Sequence, residues 1–575
     1  MTDRTYLSIG GRTRALLPNR WDMVAVPLVL GSLALAFLGV RQMAAPLEVV
    51  QEAAVSLGPS NLPEYALRTV LRMLVGLVAS LVFTFMYATL AAKSRRAELV
   101  LIPTLDVLQS VPILGYISFT VVFFMSLFPG KVLGAELAAI FAIFTSQAWN
   151  MAFSFYQSLR TVPHDLDEAC RGFHCSAWQR FWRLEVPFSM PGLVWNMMMS
   201  MSGAWFFVVA SEAITVGDQQ ITLPGIGSYV ARAIQEKDLE AVGWAILAMT
   251  VVIVLYDQVM FRPLVAWSDK FRFEQTGAQT VPESWVLDLA RRARLLRLVA
   301  SPIRGVLRFS LRFRLPVKGI RIAMPVPSRL IDMAWYAIVA AGAAYCAWSV
   351  VTYLGRTLSW GDLGEVLLLS AITMLRVAIL IVLASLVWVP LGVLIGLRPR
   401  WAEKIQPLAQ FLAAFPANLL FPVAVVAIVH FKLNVDVWVS PLMILGTQWY
   451  ILFNVIAGAS AFPTDLKEAA SNFRMRGWQW WRSVSLPGIF PYFVTGAITA
   501  SGGAWNASIV SEYVKWGDTT LTARGVGAFI AKTTEAGDYP RIALGIVVLA
   551  IFVMLFNRLL WRPLYRLSER RLRLD

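Results

Sequence analysis

Residues 161–270 of this chain align on residues 461–570 without a gap, with about a quarter of the positions identical. Near the start of the repeat is a polar stretch set between apolar ones. The first copy reads Val162-Pro163-His164-Asp165-Leu166-Asp167-Glu168-Ala169-Cys170, continues through Trp178-Gln179 and closes at Val186-Pro187. The second reads Phe462-Pro463-Thr464-Asp465-Leu466-Lys467-Glu468-Ala469-Ala470, continues through Trp478-Gln479 and closes at Leu486-Pro487. The match extends through Gly203-Ala204-Trp205 and Gly503-Ala504-Trp505, Gly217-Asp218 and Gly517-Asp518, and Arg262-Pro263-Leu264 and Arg562-Pro563-Leu564. Upstream, Arg72 answers Arg376 and Pro112 answers Pro416, both at an offset of 304. A sequence repeated on this scale folds as two equivalent halves, and its duplicated polar loop gives each half one equivalent surface.

The halves belong in a membrane. Of the 575 residues 58% are hydrophobic and 15% charged, and apolar runs near twenty residues recur throughout, each long enough to cross a bilayer. They predict an all-α integral membrane protein of about twelve spans, six per half. In the first half the spans fall near 22–40, 65–92, 99–127, 134–157, 188–213 and 241–261. In the second they fall near 331–354, 366–396, 405–430, 436–458, 488–512 and 541–561. The apolar run at 22–40 has no convincing cleavage site after it and reads as a retained anchor. Six spans per half give both halves the same orientation, so they form parallel repeats about an axis along the membrane normal, with a path at their interface. Lys93-Ser94-Arg95-Arg96, Arg398-Pro399-Arg400 and the tail from Arg566 to Arg573 assign those loops and both termini to the cytoplasm.

The expected domains are a first repeat at 1–270, a basic cytoplasmic linker at 271–329 and a second repeat at 330–575. The linker carries twelve Lys/Arg against three Asp/Glu, much of the chain's net +16. This composition suits a segment lying against anionic lipid headgroups rather than one that binds nucleic acid. Three cysteines are too few for a disulfide framework. His164, Cys170, His174 and Cys175 can be drawn as a metal cluster, but Thr464, Ala470, Arg474 and Met475 replace them in the second copy. No metal site is assigned.

The duplicated loop resembles the "EAA" loop of binding-protein-dependent ABC importer permeases. The matching positions are Glu168, Ala169, Trp178, Gln179, Phe181 and Pro187, then Glu468, Ala469, Ala470, Trp478, Gln479 and Pro487, with Asp165, Gly172 and Asp465 counted in the same loops. The resemblance implies a type I importer permease in which each loop forms a short coupling helix seated in an ATPase subunit. His174 and Arg474 stand where the family has glycine, which puts the loop's bend in question. Within the family the chain looks most like the nitrate/sulfonate/taurine/bicarbonate branch. That likeness rests on Leu71-Arg72, Ser110-Val111-Pro112, Ala414-Phe415-Pro416 and an acidic residue followed by Gly-x-Gly. That branch implies a small oxyanion as solute, an inner-membrane location and a periplasmic or lipid-anchored substrate-binding protein as partner. With no Gly-x-x-x-x-Gly-Lys-Ser/Thr in the chain, it binds no nucleotide cofactor in the usual way, so ATP and Mg²⁺ belong to two separate nucleotide-binding domains. A secondary transporter of two parallel halves is the alternative, and it needs no ATPase.

Charged residues inside spans call for partners, because an unpaired charge there is costly. Arg72 with Glu212, and Arg376 with Glu512, are the expected pairs, as structural ties or as part of the path. Asp165 to Glu168 has the spacing of a capping box. Gly225 and Gly227, with Gly525 and Gly527, follow Gly-Asp turns on the outer side and are candidates for an outer gate. Gln147, Asn150, Asn196, Asn454 and Asn506 are read as helix-to-helix hydrogen-bonding groups.

Overall fold

The computed structural model describes residues 55–216, 219–271, 284–293, 328–460 and 464–571, with isolated positions within 21–31, within 301–310 and at 462. The first half contains α1 (Leu62–Lys93), α2 (Arg95–Ser110), α3 (Ile113–Leu127), α4 (Val132–Arg160), α5 (His164–Gly172) and α6 (Ala177–Ser211). A hairpin of β1 (Ala213–Val216) and β2 (Gln219–Thr222) follows, then α7 (Ile226–Glu236) and α8 (Leu239–Phe271). The second half contains α9 (Ser328–Thr357), α10 (Trp360–Gly396), α11 (Pro399–Ala414), α12 (Phe421–His430), α13 (Val435–Ile444), α14 (Gln448–Ser460), α15 (Thr464–Asn472) and α16 (Gly477–Ser511). It closes with β3 (Tyr513–Trp516), β4 (Thr519–Thr522), α17 (Val526–Glu535) and α18 (Tyr539–Ser568). The two hairpins share one register: Ala213 pairs with Thr222, and Tyr513 with Thr522.

Among the described residues, eight helices are long and apolar enough to cross a membrane, or eleven spans if each of three bent pairs counts as one. The first of the twelve expected spans, 22–40, and most of the linker lie outside the described residues. The expected single spans at 99–127, 405–430 and 436–458 are broken, with bends of 101°, 78° and 42°. Proline makes the first two bends. Val111 (φ −84°, ψ 120°) and Phe415 (φ −70°, ψ 127°) are extended ahead of Pro112 and Pro416, as the proline ring demands of the residue before it. The start of α3 is then satisfied from the other half, because the Ile113 amide donates to Asn506 Oδ1 at 2.7 Å.

Proline also explains four π-helical turns, at Phe181–Glu185, Asp257–Phe261, Trp481–Ser485 and Asn557–Trp561. Each is followed two residues later by proline (Pro187, Pro263, Pro487 and Pro563). Without an N–H, and with its ring against the carbonyl one turn back, proline breaks the α ladder there. A single π turn absorbs the mismatch within the helix.

The halves interlock. Ile113, Ile117 and Val121 of α3 share a core cluster with Val377, Trp505 and Ile546 of the second half. Reciprocally, Phe411, Phe415 and Leu419 pack with Met201 and Trp205 of the first. The two bends made by proline thus insert into the opposite halves, and α6 and α16 line the seam.

Candidate functional site

Each of α6 and α16 has 35 residues, about 50 Å at 1.5 Å per residue. The polar loop therefore sits at one end and the Glu212 or Glu512 cluster at the other.

At the cluster end, Glu212 has no exposure. It accepts from Thr69 Oγ1 (2.7 Å), Arg72 Nη1 (2.7 Å) and the Gly227 amide (2.7 Å). Thr69 in turn accepts from the Ile226 amide at 3.1 Å. In the second half, Glu512 accepts from Thr373 Oγ1 (2.9 Å), Arg376 Nη1 (2.6 Å) and the amides of Gly527 (2.8 Å) and Ala528 (3.2 Å). Each carboxylate thus joins an arginine of the second expected span to the free amides at the start of α7 or α17. A negative group is favoured there by the helix dipole. The four glycines earn their place sterically. A Cβ on Gly225 or Gly525 would fall on the glutamate carboxylate, and one on Gly227 or Gly527 would fall on the carbonyl of Val209 or Ser508. They give a charged clasp its clearance.

The clasps are not identical. Glu136, which the sequence reading passed over, meets Arg72 with two oxygens, at 2.6 Å to Nε and 2.7 Å to Nη2. Its second-half counterpart is Asp436, 3.7 Å from Arg376 Nη2 and 46% exposed. One arginine is therefore held by two buried carboxylates, the other by one.

At the opposite end, α5 and α15 each finish in the same turn. The His174 amide donates to Arg171 O at 2.9 Å and the Cys175 amide to Cys170 O at 3.1 Å. Arg474 to Ser471 O and Met475 to Ala470 O repeat this pattern at 2.9 Å each. This is a Schellman closure. Its left-handed position is filled by His174 (φ 52°) and Arg474 (φ 50°), so the bend survives without the family glycine. Gly172 lies within its helix, and Gly477 takes φ 55° three residues beyond the turn. The turns lift Phe173 and Phe473 into solvent, each 80% exposed. These two phenylalanines were missed in the sequence, although they match across the repeat. Asp165, Glu168 and Ala169 are exposed beside Phe173, as Glu468 is beside Phe473.

The capping box is not where the Asp165–Glu168 spacing puts it. Pro163 occupies the N-cap of α5 with no side-chain bond, and Glu168 instead faces His164 at 3.3 Å. The box is Ser176 with Gln179, whose side chains bond each other's backbone amides at 3.3 and 3.0 Å. Gln179 is accordingly buried, whereas Gln479 is exposed. Trp178 donates to Ser310 O of the linker at 3.0 Å, while Trp478 is 73% exposed. Pro463 and the Asp465 side chain lie outside the described residues. Desolvation, with the Cys175 thiol beside it, pushes the Cys170 thiol up to about 11, leaving it a protonated and poor metal ligand.

Between the halves, toward the clasp end of α6 and α16, lies a cavity of about 220 Å³ lined by both. Asn150 and Asn506 reach it; Asn150 accepts from Gln109 at 2.9 Å. Asn196 donates to Ser154 at 2.9 Å across helices, but Asn454 turns back to Tyr450 O of its own helix at 2.8 Å. Gln147 donates only to Met201 Sδ, at 3.2 Å.

The family model described as "binding-protein-dependent transport system inner membrane component" matches residues 80–262 and again 388–574. The nitrate import permease protein NrtB of Leptolyngbya laminosa is 25% identical over 189 residues, covering 33% of this chain and 64% of the relative. The bicarbonate transport system permease protein CmpB of Synechocystis sp. is 27% identical over 176 residues, covering 31% and 60%. The glycine betaine/proline betaine transport system permease protein ProW of Escherichia coli is 24% identical over 205 residues, covering 36% and 54%. The chain thus spans 54 to 64% of the length of these relatives.

Proposed function

This chain belongs to the binding-protein-dependent transport system inner membrane components, and we propose that it is the permease of an ATP-driven importer for a small oxyanion. The observation that carries the reading is the pair of identical loop ends. On each half a Schellman turn presents a phenylalanine, 80% exposed, beside an exposed glutamate. A large apolar side chain held in solvent by a tight turn is what a partner's pocket takes up. Two cytoplasmic ATPase domains would seat on the loops at 163–187 and 463–487. Their closure would move both loops together and rock the interlocked halves about the central cavity. In this reading both termini are cytoplasmic in a multi-pass inner-membrane protein. ATP and Mg²⁺ are bound by the partner, and a separate substrate-binding protein delivers the solute from outside. Similarity to nitrate and bicarbonate permeases supports the oxyanion.

The test is affinity purification of the chain from membranes in which its partner proteins are expressed, wild type against Phe173→Glu/Phe473→Glu. An ATPase that accompanies wild type and is lost from the double variant supports the reading. Equal ATPase with both removes the loops from the mechanism, and no ATPase with wild type turns the reading toward a secondary transporter.

A further inference from the structure

The polar loop of the first half carries two cysteines that its repeat lacks. Cys170 and Cys175 stand where the second loop has Ala470 and Met475. They fill the two positions that a Schellman closure brings together, which ordinarily make an apolar contact. The Cys175 amide donates to Cys170 O at 3.1 Å. The covalent bonds on either side of that contact leave the two Cα atoms no more than about 7 Å apart, the outer limit for a disulfide. The thiols themselves are hydrogen-bonded to each other. Both are free, and both residues are partly exposed. Between them the turn holds Phe173, lifted into solvent, and His174 in the left-handed conformation at φ 52°. A bond between the two sulfurs would therefore close a ring of six residues on the turn that carries the exposed tip.

We infer that Cys170 and Cys175 form a thiol–disulfide exchange site, which a low-molecular-weight disulfide closes into an intraloop bond that locks the first tip. Cys175 makes the first attack. Burial, with the adjacent Cys175 thiol, pushes the Cys170 thiol up to about 11, which leaves it a poor nucleophile until a mixed disulfide is set beside it. The Cys175 sulfur bonds one sulfur of the small disulfide, whose S–S bond breaks. The other sulfur leaves as a thiol with the proton that Cys175 gave up. Cys170 then attacks the Cys175 sulfur: the Cys170–Cys175 bond forms, the mixed disulfide breaks, and a second small thiol leaves with the proton of Cys170. Two electrons have passed from the pair to the small disulfide. An exposed disulfide of this kind is easily reduced again, so in a compartment that keeps thiols reduced it is transient. The lock is one-sided, since Ala470 and Met475 cannot form it. Under the importer reading above, on which this consequence rests, one docking tip stiffens when the thiol pool is oxidised and the other is unchanged. A partner binds more tightly to a tip already fixed in its bound shape.

The experiment uses the full chain with its ATPase, in a Cys346→Ala background so that only this pair reports. Membranes are exposed to glutathione disulfide, remaining thiols are alkylated, and the loop peptide is measured by mass spectrometry. The expected product is a peptide lighter by two hydrogens, with neither cysteine alkylated and no glutathione attached. Cys170→Ser should accumulate glutathione on Cys175, whereas Cys175→Ser should take up little on Cys170. Amide exchange from Phe173 to Cys175 should slow about tenfold or more on oxidation, with no change at Phe473. Release of the ATPase should slow severalfold on oxidation, but not in Cys170→Ala/Cys175→Met, which copies the second loop. Two alkylatable thiols after oxidation, or a glutathione adduct that persists when both cysteines are present, overturns the inference. So does a closed disulfide that leaves amide exchange unchanged or faster, or that releases a bound ATPase no more slowly. Absence of the ATPase before any oxidation is the separate failure of the importer reading, and the peptide masses and exchange rates are read without it.

Discussion

Removing Glu512 should damage this protein more than removing Glu212, although the two residues occupy the same place in the repeat. Both carboxylates are fully buried, and both tie an arginine to the start of a helix. In Glu212→Ala, Arg72 keeps its two-pronged contact with Glu136 at 2.6 and 2.7 Å. The charge stays paired and Thr69 can still donate to Tyr65 O at 3.1 Å, so the loss reduces to the Gly227 amide left without an acceptor. A buried donor in that condition costs about 1–3 kcal/mol. In Glu512→Ala, Arg376 is left with Asp436 at 3.7 Å, itself 46% exposed. Arg376, 11% exposed and otherwise touching only Asp436, then loses its one close carboxylate, which adds up to about 3–5 kcal/mol to the orphaned amides of Gly527 and Ala528. The two variants should therefore differ by about 2 kcal/mol or more. Arg72→Ala should be worse than Glu212→Ala, because it leaves Glu136 and Glu212 buried with no cation. Thermal unfolding of the detergent-solubilised chain, followed by circular dichroism, orders the three. Equal midpoints for the two glutamate variants, or a milder loss for Glu512→Ala, would refute the account of the clasps.

Three further outcomes follow from the same geometry. Gly525→Ala should unfold at a lower temperature, with a loss comparable to Glu512→Ala, because the added methyl displaces the carboxylate; Gly172→Ala, with open space around it, should gain up to about 1 kcal/mol from helix propensity. His174→Gly and Arg474→Gly should each relieve a left-handed non-glycine residue and slow hydrogen exchange at the loop turn, a gain of about 1–2 kcal/mol; faster exchange would mean that the turn is not Schellman-closed. On the side of the clasps, Lys237 Nζ of the first half lies 2.9 Å from Asp518 Oδ2 of the second, and the Gly517 amide donates to Ile234 O at 2.9 Å. A disulfide between Lys237→Cys and Asp518→Cys should hold the halves together there and stop uptake until a reductant is added; undiminished uptake with the crosslink formed would show that this contact never opens.

The apolar runs located the spans because hydropathy reports what a helix can bury, and the clasp pairs were legible because a lone charge in a span needs a partner. Hydropathy carries no backbone direction, so the broken spans were invisible to it. Pro112 and Pro416, which make two of the bends, stood out in the sequence only as repeat matches and family marks. Glu136 escaped because it and its acidic counterpart Asp436 fall at the very ends of their expected spans, 134–157 and 436–458, where a charge meets water and calls for no partner. The capping-box error has a definite cause. A proline at the N-cap leaves Asp165 inside the first turn, where its side chain cannot reach the orphan amides as a cap does, while Ser176–Gln179 offered the same spacing one helix later. The glycines stood in the sequence as outer-gate candidates; that Gly225 and Gly525 also make room for a carboxylate is a steric requirement that spacing alone does not reveal.

The two loops also show what fusing the halves permits. In the first, Asp167 meets Arg171 at 2.7 Å and Arg180 at 2.9 Å; Arg180 continues to Glu185 at 3.1 Å, and Glu185 to Lys93 at the end of α1 at 2.9 Å. A chain of charges thus fastens the first polar loop to the second expected span. In the second loop the matching residues are Lys467, Ser471, Trp480 and Ser485, which cannot form that chain. Trp480 and Trp481 stand edge to face at 5.7 Å and pack on the core instead. Two unlike scaffolds, one ionic and one aromatic, end in the same Schellman turn with the same phenylalanine 80% exposed. In a homodimer any change to one scaffold is made in both, so such divergence has no route. Once the halves share a chain, each can drift so long as its tip keeps its geometry. The feature retained through that drift is the one a partner would feel, which is why the tips rather than the charges behind them carry the functional assignment.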